Sequence, residues 1–341
     1  MKAYRLDNFT SLDDLRMREE DDPQPQQGEV LVRVHAVSLN FRDIAMVRNQ
    51  YPAPHLEGLI PTSDGAGEVV AVGPGVDELA VGDRVMGTFH PRWYAGRMPT
   101  NLLRYNYGSA IDGWLVEQKV VNQESLVRVP DSLSYEEAST LPCAGLTAWS
   151  ALTDGTVIRS GNTVLVQGTG GVSIFALQLA KAVGARVIAT TSSAKKAERL
   201  RTLGADEVLN YKEEPQWGER VRALSSGQGV DRVVEVGGPG TMAQSLRAVR
   251  PGGEIALIGF VSPEGAGIDF FDLFMSGATF RHISVGSRES LQDAARAIEM
   301  AGIRPVIDHV FDFENAREAF AHLDSGSHFG KVVIRCSKGR P

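Results

Sequence analysis

The sequence predicts an α/β protein, with a β-rich first third and a doubly wound parallel sheet behind it. Two observations carry that prediction. Before about residue 128, short strands are punctuated by Gly and Pro, the habit of a small barrel or sandwich. From about Asn162, short apolar runs alternate with helix-period segments, which is the pattern of repeated β–α–β units.

Taken in order, "EVLVRVHAVSLN" sets Val30, Val32, Val34 and Ala36 against polar neighbours, the period of a strand with one buried face. "GAGEVVAVGPGV" and "GDRVMGTF" follow as further strands. "TVLVQ" lacks alternation, as a parallel strand covered on both faces should. After it, Val172, Phe175, Ala176, Leu179, Ala180 and Val183 recur at helix spacing. "ARVIAT" is the next strand, and "SAKKAERLRTLGA" a helix with Ser193 as N-cap and Gly204 as its stop. "EVLN", "WGERVRALSSG", "VDRVVEV", "GTMAQSLRAVRPGG" and "EIALIGF" continue the alternation. A last helix, "VFDFENAREAFAHLDSG", and a strand, "GKVVIRCS", close the chain.

Composition narrows the class. The 341 residues are 43% hydrophobic and 23% charged, ordinary for a globular protein. A net charge of −7 argues against nucleic acid or an anionic membrane as partner. Two cysteines make neither a disulfide framework nor a cysteine-rich metal site. No signal-peptide core is read, and no apolar run nears the roughly 18 residues of a membrane span. A cytoplasmic protein is expected.

Gly168, Thr169, Gly170, Gly171 and Val172 stand between a strand and a helix in "QGTGGVS". Glycine permits the tight turn and the close approach of a pyrophosphate, and the helix start offers N–H donors. Ser173 takes the third fingerprint position, so the motif is imperfect. At the tip of the next strand, a carboxylate would bind the ribose 2′-hydroxyl of NAD(H). Here "TTSSAKK" offers hydroxyls and ammonium groups, which suit a 2′-phosphate and point to NADP(H).

The glycine loop, "NFRD", "DGAGEV", "GDRV", "LPCAGLTAW" and the late "GKVV" together resemble the medium-chain dehydrogenase/reductase superfamily across essentially the whole chain. The resemblance implies a GroES-like catalytic domain, residues 1–127 and 306–341, around a Rossmann domain, residues 128–305, with the active site in the cleft between them. Many members are zinc alcohol dehydrogenases. Their metal positions match Asn40, Ser63 with Asp64, and Cys143, and the four-cysteine structural-zinc loop is absent. One ligand of three cannot hold tetrahedral zinc. No zinc is expected, and Cys143 reads as a small buried hydrophobe. The chain therefore resembles the zinc-free, quinone oxidoreductase-like branch. That branch implies NADPH, a quinone, enone or enoyl acceptor, and a homodimer joined along the Rossmann sheet edge. It also assigns Ser192 and Lys196 to the 2′-phosphate and Tyr211 to the adenosine end. Gly237, Phe260 in "IGF" and Val285 in "ISVGS" are further cofactor-binding candidates, the last two where strands end near the sheet's C-terminal rim.

Without a metal to polarise a carbonyl, simple alcohol chemistry loses its electrophile. A quinone or enone suffers less, because hydride delivery leaves a delocalised anion that hydrogen bonds stabilise. Asn40, in the vacated metal position, and Tyr51 are the catalytic candidates; each also fits a structural part, as a turn cap and as packing. Arg42 and Asp43, adjacent and opposite in charge, read as support for them or as cofactor contacts. The aromatic segment 88–114 is either a substrate lid or a packed excursion. An alcohol or aldehyde dehydrogenase, and a nucleotide-binding protein with vestigial catalysis, are the competing expectations.

Overall fold

The computed structural model describes residues 1–265 and 267–337. They form two compact units, Met1–Leu146 with the chain from Val285 onward, and Thr147–Ser284. The expected domain boundaries were 127/128 and 305/306, so the first unit extends further on both sides. The helix Arg288–Met300 shows why. Arg288 donates to the Leu126 carbonyl and to Glu124, both at 3.0 Å, which ties that helix to the first unit's sheet. Residues 338–341, assigned to the first domain from sequence, lie outside the described residues.

In the first unit, β1 (Lys2–Leu6) and β2 (Leu15–Glu19) pair antiparallel. The main sheet contains β3 (Glu29–Leu39), β4 (Asp64–Val72), β5 (Arg84–Gly87), β6 (Gln118–Asn122) and β7 (Leu126–Arg128). The second unit supplies β8 (Thr163–Gln167), β9 (Arg186–Thr191), β10 (Glu207–Asn210), β11 (Val230–Glu235), β12 (Val249–Leu257) and β13 (Thr279–His282). The chain then returns to the first sheet with β14 (Ile307–Asp312) and β15 (Lys331–Arg335).

The first sheet runs β14-β15-β3-β4-β5-β7, with β6 also on β3. In β3 the alternation is seen only from Val32 to Ala36, around exposed Arg33 and half-buried His35; Leu31 is buried out of phase, and from Ala36 to Leu39 both faces are buried. That buried end leads into Asn40. Trp114 is wholly buried and meets the Tyr107 ring edge-on, 5.8 Å between centroids. A Cβ added at Gly65 or Gly87 would lie 2.4 or 2.1 Å from its indole, so glycine at both positions makes room for the ring.

The second unit's sheet is parallel throughout, in the order β10-β9-β8-β11-β12-β13. Numbered within the unit this is 3-2-1-4-5-6, whose order reverses between β8 and β11, where doubly wound sheets bind ligands at strand C-termini. The nucleotide half is placed by the interior hydrophobicity of its strands: Val164, Leu165, Val166, Val187, Ile188, Val233 and Val234 are fully buried. Among the described residues, no helix is long and apolar enough to cross a membrane.

Candidate functional site

Each unit carries its own set of candidate residues. In the second unit, Gly168 turns the chain with φ +71°, which glycine tolerates and a side chain resists. A Cβ at Gly168 or Gly170 would meet nothing within 4 Å, so the loop faces open room. Gly170 is the N-cap of the helix Gly171–Ala182 and supplies no side-chain cap. The first N–H groups of that helix are thus left for an anion. Ser173 donates to the Gln167 carbonyl at 2.6 Å. The hydroxyl at the third fingerprint position closes the turn on itself, which accounts for a serine where glycine was expected.

Ser193 caps the helix Ala194–Thr202, accepting from the Lys196 N–H, as the sequence predicts, and Gly204 follows its end at φ +100°. Thr191 pairs with Asn210 across β9 and β10, and the Tyr211 N–H bonds the Thr191 carbonyl. Ser192 and the exposed Tyr211 therefore flank one strand tip, with no carboxylate among Thr190, Thr191, Ser192 and Ser193.

Glu235, at the end of β11, was missed from sequence. It is fully buried, and its carboxyl accepts from Gly237 N–H and Gly238 N–H at 2.9 Å, from Gln167 Nε2 at 2.8 Å, and from Thr241 and Ser245. The turn containing Gly237 is thereby stapled to the residue that precedes the glycine loop. An acid at the end of a strand, one residue before Gly-Gly, was the available signal. Phe260 follows β12, and Val285 belongs to the first unit, with the uncommon φ of +60° for a β-branched residue. Within the second unit, the chemistry would suit a dinucleotide: helix-end amides for phosphate, room in front of the glycines, and hydroxyls beside Lys196 for a 2′-phosphate.

In the first unit, Asn40 is the N-cap residue of the helix Phe41–Val47, and its N–H donates to Asp43 Oδ2 at 2.7 Å. Its side chain looks elsewhere. Nδ2 donates to Asp64 Oδ2 at 2.9 Å, and Oδ1 accepts from Lys331 Nζ at 2.6 Å. Asp64 also accepts from Ser63 Oγ, Ser38 Oγ and the Cys143 N–H. Lys331, missed from sequence beyond its place in "GKVV", donates to the Leu39 carbonyl at 2.6 Å as well. Arg42 lies 3.5 Å from Asp43, donates to the carbonyls of Tyr107 and Gly108, and sits over the rings of Tyr51 and Phe89. Asn40 and Tyr51 are so joined through Asp43 and Arg42.

Burial raises the carboxyls of both acids. Asp43 is pushed up to about 6, although Arg42 and the Asn40 N–H oppose the shift. Asp64 is raised against the pull of Lys331. Burial lowers the Lys331 ammonium, which Asp64, Cys143 and Asp43 counter, and raises the Cys143 thiol. This donor set does not fit zinc. It has one sulfur, an amide committed on both atoms, and an ammonium bonded at the heart of the site. Among the described residues, no cluster of three His, Cys, Asp or Glu could hold a metal.

The aromatic segment divides. Tyr107 and Trp114 are core. His90, Arg92, Trp93, Pro99, Asn101, Leu102 and Tyr105 line a cavity of about 140 Å³. Arg92 stacks on Tyr105, 4.0 Å from the ring centroid.

Comparison with known proteins identifies the family. Residues 26–131 match the alcohol dehydrogenase GroES-like domain, and residues 171–300 match the zinc-binding dehydrogenase model. A zinc-type alcohol dehydrogenase-like protein of Schizosaccharomyces pombe is 39% identical, over 96% of this chain and 97% of its own. A quinone oxidoreductase of Pseudomonas aeruginosa is 32% identical, over 94% and 95%. A solved NAD-dependent alcohol dehydrogenase superposes with a TM-score of 0.90 at 34% identity, covering 99% of this chain and 100% of that one. A mycobacterial protein solved with NADPH superposes at 0.83 and 29%, covering 98% and 100%. The chain belongs to the medium-chain dehydrogenase/reductase superfamily and is an oxidoreductase of that family.

Proposed function

We propose that the chain is a zinc-independent, NADPH-preferring reductase of a quinone or a conjugated enone or enoyl acceptor, working as a cytoplasmic homodimer. The observation that carries this reading is the amide and ammonium pair, Asn40 and Lys331, at the position where zinc-type relatives use a metal. Such a site offers hydrogen bonds but no Lewis acid, which favours acceptors whose negative charge is delocalised. The carboxylate-free tip of β9 supports NADPH over NADH. The quinone oxidoreductase and a 30% identical acryloyl-coenzyme A reductase of Metallosphaera sedula support the acceptor class.

Bound NADPH would supply a hydride to the acceptor carbon. The chain's own residues manage the charge that then gathers on the acceptor oxygen. Asn40 has one Nδ2–H left after its bond to Asp64, and that N–H donates to the oxygen. Tyr51, over Arg42, walls the site, and solvent returns the proton.

A second reading, NAD-dependent oxidation of a simple alcohol, is favoured by the alcohol dehydrogenase relatives. One experiment separates the two. Melting is followed with NADPH and with NADH, and a cofactor at about 100 times its Kd adds about 2.7 kcal/mol. A larger shift with NADPH, lost in Lys196→Glu, is expected, followed by turnover of enones without bound zinc. A larger shift with NADH, or zinc-dependent turnover of alcohols, would reverse the reading.

A further inference from the structure

We propose that Lys331 is the fixed cation of the first unit's site, a positioning residue that orients the Asn40 amide and balances Asp64 in place of a metal. Its effect on turnover rests on the reductase reading above.

The placement follows from the sheet. Val332 pairs with Leu39 across β15 and β3, which sets Lys331 beside Asn40. The lysine is only 3% exposed. Its Nζ reaches the Leu39 carbonyl and Asn40 Oδ1, both at 2.6 Å. An ammonium can only donate, so it selects the amide face that accepts. Oδ1 must turn to Lys331, and Nδ2 must then turn to Asp64, 2.9 Å away. The reverse orientation would set donor against donor on one side and oxygen against carboxylate on the other. Lys331 thus decides which way Asn40 presents its remaining N–H.

Charge completes the argument. The buried groups are Lys331 and Arg42 against Asp43 and Asp64, which sum to zero. Arg42 lies against Asp43, so Lys331 is the counter-charge for Asp64. A divalent ion seated on Asn40 and Asp64 would have to expel the ammonium and leave a surplus of buried positive charge.

The test uses the full chain. In Lys331→Met the amide is free to flip. With NADPH and a conjugated enone, kcat is expected to fall at least tenfold, while the KM for NADPH stays within about twofold. Lys331→Gln keeps a donor toward Asn40 and recovers much of that loss. The titratable and charged groups facing Lys331 and Asp64 are Asp43, Arg42 and Cys143. All three remain in the variants, so the acidic limb of the kcat profile moves to higher pH as Asp64 loses its counter-charge. Unchanged kcat and an unmoved pH profile in both variants would overturn the proposal.

A second arm needs no turnover. Asp64→Asn and the double variant Lys331→Met/Asp64→Asn are melted beside Lys331→Met. The double variant is expected to melt above Lys331→Met, because no carboxylate is left orphaned. Losses that simply add would overturn the proposal. If the wild-type chain reduces no enone, the reductase reading fails and this arm alone decides the role of Lys331.

Discussion

Asp43 shows how a single buried acid acts on the stability of the whole chain. Its carboxyl, about 6 when folded, titrates near 3.9 when exposed, so the folded chain binds that proton more tightly than the unfolded one. The group therefore contributes stability below about pH 4 that is lost as pH rises through about 6, up to on the order of 3 kcal/mol. Denaturant midpoints of wild type and Asp43→Asn, taken from pH 4 to pH 7, check this. The wild type should lose stability relative to the variant across that window; parallel curves would assign the proton elsewhere. Asn40 illustrates the same scale from the other side. Its place at a helix start was legible from "SLNFRD", yet its side chain ignores the helix for Lys331, which is 291 residues away. Pattern along the chain carries no trace of such a partner.

Elements were more legible where local chemistry alone decides them. Ser193 and Gly204 bracket a helix because a cap and a positive φ are local properties. "TVLVQ" and "EVLN" became strands over the residues expected. The helix Arg288–Met300 was harder. Its apolar stripe says that one face is buried but not against which sheet, and the Arg288 bonds to Leu126 and Glu124 decide that. The segment 88–114 was ambiguous for a similar reason: an aromatic residue reads alike in a lid and in a core. Trp114 resolves its own part, lying against Gly65 and Gly87. Gly87→Ala would drive a methyl group into the indole and should cost on the order of 1–3 kcal/mol. Paired with Trp114→Phe, the losses should fall short of additive, since the smaller ring makes room. Full additivity in urea unfolding would mean that the two positions do not share the contact.

For the molecule as a whole, a cluster of exposed apolar side chains stands on one helix of the second unit. The helix Phe270–Ser276 leaves Phe270, Phe271, Phe274 and Met275 each at least 67% exposed, just before β13 at one edge of the parallel sheet. An apolar cluster beside a strand edge is what supports the proposed homodimer. Light scattering should give twice the chain mass for wild type and a monomer for Phe271→Glu/Phe274→Glu; a wild-type monomer at micromolar concentration would end that assignment. The middle of the same sheet, at the strand tips of β8 and β11, is built differently. There one carboxyl, that of Glu235, gathers five donors, holds the Gly237–Gly238 turn in shape and ties it to Gln167. Glycines are the residues with the most freedom to surrender when a loop closes on a ligand. With that freedom already removed by folding, the nucleotide meets a preorganised rim, and little entropy is left to be lost on association.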